Sequence, residues 1–323
     1  MKFLSRLCML FVFVPTLLFT VGCGQSGTIE IVKKSDNRID ILVDGKIFTS
    51  YRNGLNDEKP IFFPLNSPRG QMLNRGWPLI DGIKDEKQDH VHHQGMFFTY
   101  GDVNGLDFWA EPKEAERNGK IIHRKVTKAE ATGDRAVLQL QADWQAPDGT
   151  VLLKEDKTVK FYVKPDYRAM DFDITLTATD QPVHFGDTKE GFFAIRVTPQ
   201  LKDDNAGEYL NSNGLRTSKE CWGKRAAWMA LKGPVNDENV VLAFFIHPSS
   251  QNFPPYWHAR GYGLFTANPF GRKMYTKNAE EPLEMTLQPG ESMHFKARVL
   301  VYSGKMTADD LARAYEEYKK ATN

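Results

Sequence analysis

The stretch VLQLQADWQAPDGTVLLKEDKTVKFYV, residues 137–163, constrains the fold most. Alternating and β-branched runs flank the turn signal Pro147-Asp148-Gly149, which predicts one long antiparallel hairpin. Similar runs recur in TIEIVKK, RIDILVDGKIFTSY, KTVKFYVKPDYRAMDFDITLTATD and HFKARVLVYSG. Turn residues separate them at Asp44-Gly45, Lys164-Pro165-Asp166 and Gln288-Pro289-Gly290-Glu291. Helical periodicity is scarce until MTADDLARAYEEYKKA, where Thr307 is the expected N-cap and Leu311, Tyr315 and Tyr318 share one side. The pattern therefore predicts an all-β protein, a large antiparallel two-sheet sandwich over residues 27–305, with a packed C-terminal helix over 306–323.

Residues 1–22 carry Lys2 and Arg6 ahead of an apolar run and end in Thr20-Val21-Gly22 before Cys23. This predicts an export signal of the bacterial lipoprotein type, with Cys23 lipidated and residues 23–26 a short tether. The expected location is the cell envelope, as a periplasmic or surface lipoprotein whose only membrane contact is the lipid anchor. A lipidated Cys23 leaves Cys221 unpaired, so no disulfide framework is expected and the core must hold the fold. With 42 basic against 41 acidic residues there is no field to steer the chain to nucleic acid.

Three segments concentrate chemistry. DHVHHQGMFFTYGDVNGLDFW (89–109) puts His90, His92 and His93 within four positions. On an extended backbone His90 and His92 would share one face and His93 the other. A divalent metal on His90 and His92 with a carboxylate such as Asp89 or Asp102 is the alternative to acid/base chemistry, which a histidine performs near neutrality. Gly95 permits close backbone approach, and Phe108 or Trp109 offers a stacking wall. In GDTKEGFFAIRV, Lys189, Glu190 and Arg196 stand in a strand-like run, with Glu190 and Arg196 on one face of a regular strand. In YWHARGYGLFTANPFG, Trp257, His258, Arg260, Tyr262, Asn268 and Phe270 suit recognition of a polyol. NRGWPLIDG adds Arg75 and Trp77.

Together the histidine segment, KEGFFAIRV and WHARGYGLFTANPFG resemble a bacterial exported family whose members are labelled "methane oxygenase PmoA" or carried as a domain of unknown function. That label does not fit a chain with one signal and a polar β body, because the membrane methane monooxygenase subunit spans the membrane several times. The family looks like a relative of the galactose-mutarotase-type β-supersandwich, which implies a sugar cleft on a concave sheet. It also implies a histidine that protonates a ring oxygen, here one of His90, His92, His93 or His258, and a carboxylate base, here Glu190. A mutarotase carries its catalytic glutamate late in the chain, whereas Glu190 is central.

The sequence thus predicts an exported protein that binds or acts on a carbohydrate. His93, Glu190 and His258 are the expected acid/base groups, and Arg75, Trp109, Lys189, Arg196, Arg260, Tyr262 and Asn268 the expected contacts. No cofactor is favoured. The rival readings are a non-catalytic glycan-binding lipoprotein and a metal-dependent hydrolase or oxygenase using the histidine cluster.

Overall fold

The expected hairpin is present: strand Arg135–Gln145 pairs antiparallel with Val151–Lys164. Its first strand buries alternate residues, Ala136, Leu138, Leu140, Ala142 and Trp144, as a half-buried strand must. The computed structural model describes residues 27–54, 59–110 and 116–321. The expected signal, tether and lipidated Cys23 lie outside them. No helix among the described residues is long and apolar enough to cross a membrane.

Two antiparallel sheets of eight strands form the body. The first runs, in spatial order, Ile29–Ser35, Arg38–Val43, Lys46–Arg52, Ile61–Leu65, Met96–Tyr100, Gly191–Arg196, Leu264–Asn268 and Tyr256–Ala259. The second runs Glu208–Asn211, Trp228–Val235, Glu238–Ile246, Ser292–Ser303, Tyr167–Ala178, Val151–Lys164, Arg135–Gln145 and Lys120–Thr132. A small pair, Val183–Phe185 with Met285–Leu287, stands beside them.

The facing sides interdigitate in one apolar core, where Phe172 meets Phe193 at 4.8 Å and Phe244 meets Phe265 at 4.6 Å. Two charges interrupt it. Glu155 and Lys157 occupy inward positions of their strand, bond each other at 2.7 Å, and Trp144 Nε1 donates to Glu155 Oε2 at 3.0 Å. On the outer side of the second sheet lies the helix Ala308–Ala321. Thr307 caps it by accepting from the Asp310 amide at 3.2 Å, and Leu311, Tyr315 and Tyr318 pack on Trp228, Ala243 and Phe245.

The outer side of the first sheet positions the site. Along Met96–Tyr100 and Gly191–Arg196 the period of two sends Phe98, Phe193 and Ile195 into the core and Phe97, Ala194 and Arg196 outward. The loop following Leu65 and the loop following Tyr100 lie over this outer face. Gly95 sits where the chain re-enters the sheet, at φ +59, and a Cβ there would stand 2.6 Å from the Phe62 carbonyl oxygen, so only glycine fits.

Candidate functional site

The segment 89–95 is a turn rather than a strand, and this changes the geometry expected of its histidines. His90 has φ +46, a left-handed backbone that costs a non-glycine residue about 1 kcal/mol. Arg75 holds it there. Its guanidinium donates to the carbonyls of Asp89 at 2.7 Å, His90 at 2.8 Å, His93 at 3.1 Å and Lys87 at 3.2 Å, and to Asp89 Oδ1 at 2.9 Å. The three imidazoles consequently gather on one side. His90 stacks on His93 at 4.9 Å and 7°, and His92 meets His93 edge-on at 4.4 Å. His93 is therefore not on an opposite face.

A second arginine completes the buried layer. Arg196 is fully enclosed, donates to Asp89 Oδ1 at 3.0 Å, faces His93 Nδ1 at 3.4 Å and lies 4.2 Å from the centre of the Tyr262 ring. Its carboxylate partner is Asp89 and not Glu190, which precedes the first residue of the strand. Although partial burial works the other way, the charges of Arg196, His90 and Arg75 hold the Asp89 carboxyl below the usual range. Burial, and then Arg196, pushes Arg75 down to about 10, so it stays protonated at neutral pH.

The inner histidines are neutral for the same reasons. Burial pushes His92 down to about 3, with the positive charges of Lys59, His90, Arg75 and Arg196 adding to it. His93 falls well below the ordinary value through burial and its cationic neighbours. Trp109 stands behind both rings, 5.4 Å from His93, and is itself buried, so it offers no face to a ligand. Phe108 is in the core between the sheets.

The second half of the site comes from the strand Tyr256–Ala259 and the turn before Gly191. His258 is 2% exposed. Its Nδ1 donates to the Lys189 carbonyl at 3.2 Å, which leaves Nε2 to accept from Arg260 Nε at 3.0 Å. Burial and the charges of Arg260 and Lys189 keep it well below its ordinary pKa. His258 is thus a neutral prop for Arg260. Asn268, also enclosed, donates to the Thr188 carbonyl at 2.9 Å and accepts from the Phe270 amide at 2.9 Å. With Tyr275, whose hydroxyl donates to the Lys189 carbonyl at 2.9 Å, it pins the loop that carries Lys189 and Glu190.

What reaches solvent is a smaller set. The His90 ring is 39% exposed and its Nδ1 lies 3.4 Å from Asp89 Oδ2. Glu190 is partly exposed, paired with Lys189, and 3.7 Å from His258 Nδ1. Arg260 and Tyr262 are half-buried. Tyr262 joins the two halves: it stacks on His90 at 5.5 Å and 17°, and the charges of Arg260, Arg196, Glu190 and Asp89 all act on its hydroxyl. Sequence reasoning did not single out Asp89 as the common partner of two arginines, nor Tyr275 as the pin. Its position beside His90 was the available signal for the first, and none marked the second.

The alternative metal reading rested on His90 and His92 with Asp89 or Asp102. Among the described residues no three His, Cys, Asp or Glu side chains converge as a metal site. Arg196 faces the Nδ1 of His93, and Asp102 is occupied in its own turn, accepting from the Gly105 amide at 3.2 Å. A wider concavity, about 950 Å³, lies elsewhere, between Asp143, Lys154 and Asp180. Its lining has no histidine or aromatic ring, so chemistry rather than volume selects the cleft at Tyr262.

Comparison with solved structures gives distant likenesses. One is the GH36 α-galactosidase AgaB from Geobacillus stearothermophilus, at 10% identity and TM-score 0.45, over 85% of this chain and 41% of that one. The chain thus spans about two fifths of that enzyme's length. A galactose mutarotase related enzyme from Lactobacillus acidophilus matches at 9% identity and TM-score 0.35, over 86% and 98% of the two chains. A galactose mutarotase-like protein from Lactobacillus casei matches at 11% and 0.37, over 85% and 100%. Likenesses this distant assign no chemistry. No curated protein sequence matches the chain. The model of DUF6807, described as a family of unknown function, matches residues 38–316.

Proposed function

The chain belongs to DUF6807, a family of unknown function, and from that premise we propose that it is an exported protein that binds and acts on a carbohydrate in the cleft around Tyr262. The observation that carries the proposal is the division of labour among the four histidines. His92, His93 and His258 are enclosed and neutral, whereas the His90 ring reaches solvent with a carboxylate at its Nδ1. An imidazole oriented by a carboxylate is the usual arrangement for moving a proton to or from a hydroxyl or ring oxygen. Glu190 supplies the second proton-transfer group, and Arg260 and Tyr262 hold the sugar.

The enclosed inner layer supports this role. Arg75 and Arg196 are protonated and enclosed, and they fix Asp89 so that its second oxygen is presented to His90. The expected roles of His93 and His258 as acid or base pass in this proposal to His90, because those two rings are enclosed and neutral whereas the His90 ring reaches solvent. Export and lipidation at Cys23 remain part of the proposal, on the strength of residues 1–23.

A saccharide panel screened by thermal shift, followed by turnover assays on each stabilising ligand, tests the reading. His90→Asn is the informative variant, because asparagine tolerates the left-handed backbone. It and Glu190→Gln are expected to lower turnover at least a hundredfold while binding survives. Undiminished turnover in both would remove the proposal. Labelling with radioactive palmitate, lost in Cys23→Ala, tests the anchor.

A further inference from the structure

Arg260 is a cation held in place without a counter-charge. Its Nε donates to the neutral His258 at 3.0 Å, and its guanidinium carbon lies 5.6 Å from the centre of the Trp222 ring. Its two terminal nitrogens bond nothing among the described residues, and no carboxylate there lies within ion-pair distance of it. The neighbouring carboxylate, Glu190, is paired with Lys189. A planar fork fixed at Nε and open at both terminal nitrogens matches two oxygens of one anionic group.

The space in front of it is large enough for a sugar unit. Arg260, Trp222 and Tyr262 line a pocket of about 420 Å³ that shares Tyr262 with the His90 site, and Asp204 and Lys219 stand among its lining as two exposed side chains of opposite sign. Those two are exposed and screened by solvent, whereas the charge of Arg260 is half-buried. A neutral sugar would satisfy the aromatic rings but leave the fork open; an acidic one would close it.

We propose that this pocket is a subsite for a negatively charged sugar unit, a uronate or a sulfated residue, whose anionic group docks on the terminal nitrogens of Arg260. The substrate is then an acidic oligosaccharide with one unit at His90 and Glu190 and a charged neighbour beside Arg260. This rests on the carbohydrate reading of the cleft.

The test uses di- to tetrasaccharides of galacturonic and glucuronic acid, each beside its methyl ester, and sulfated galactose oligomers, each beside its desulfated form. Binding to the intact chain is followed by calorimetry. The expected result is binding of one acidic series at least tenfold tighter than its neutralised form, with that preference lost in Arg260→Gln and partly kept in Arg260→Lys. The carboxylate and sulfate arms decide which anion it is. Arg260→Lys, which keeps a cation at the position, guards against a variant that fails to fold, and Lys46→Gln, at an exposed side chain outside the pocket, is expected to keep the preference. Neutralised forms binding as tightly as the acids, or Arg260→Gln retaining the preference with an unchanged melting temperature, would overturn the subsite while sparing the carbohydrate reading. Failure of every saccharide, charged or neutral, overturns both.

Discussion

Replacing Arg75 by methionine tests the way the site is built. The side chain is 1% exposed and makes three short bonds, to the Asp89 carbonyl at 2.7 Å, the His90 carbonyl at 2.8 Å and Asp89 Oδ1 at 2.9 Å. Hydrogen bonds involving a charged group contribute about 1.5–3 kcal/mol each, which brackets the loss at roughly 4.5–9 kcal/mol. The segment borders solvent, so its released carbonyls can rehydrate, and Asp89 keeps Arg196 as a partner. The lower end, about 4.5 kcal/mol, is therefore expected, and Arg75→Lys should recover little of it, because a compact ammonium cannot span the same acceptors. Urea unfolding reads the global loss. If the segment instead opens on its own, the global loss is smaller, but the amides of His93 and Gln94, which now bond the His90 and His92 carbonyls, lose hydrogen-exchange protection. A loss under about 1 kcal/mol with that protection unchanged would refute the reasoning.

Other consequences are as specific. His92, His93 and His258 have folded pKa values below the ordinary 6.5, so the unfolded chain binds more protons below that pH. Their contribution to stability is complete above about pH 6.5 and falls with pH, for His92 down to about 3. His92 alone should cost about 2 kcal/mol by pH 5, with His93 and His258 acting in the same direction, and a urea midpoint that stays level between pH 7.5 and 5 would contradict this. Glu155→Leu alone should lose roughly 3–5 kcal/mol by stranding the enclosed Lys157, whereas Glu155→Leu with Lys157→Leu should regain most of it in the same unfolding assay. Leu311→Ala, at a fully buried position under the C-terminal helix, should cost about 3 kcal/mol by calorimetric or urea unfolding.

The long hairpin, the antiparallel sheets and the capped C-terminal helix were legible in the sequence because period-two and period-3.6 patterns are local. The cleft was legible as a set of segments but not as an arrangement. The strand rule placed His93 opposite His90 because nothing near residue 90 announces that Arg75, at a distance in the chain, supplies the donors that curl the segment. Glu190 and Arg196 were placed on one face by the same local rule, yet the strand starts only at Gly191 and Arg196 reaches Asp89 across the sheet. Burial was the other hidden quantity. Trp109, His93, His258 and Asn268 have the chemistry of ligand contacts, but the sheet and its covering loops enclose them, and they act by positioning Asp89, His90, Glu190 and Arg260.

A crystal structure with the tightest-binding saccharide of the panel tests the central claim most directly. The account predicts a sugar ring beside Tyr262, within hydrogen-bond reach of His90 and Glu190, with its neighbour against Arg260. A saccharide held instead in the cleft between Glu208 and Lys305, or anywhere on the second sheet, would contradict it.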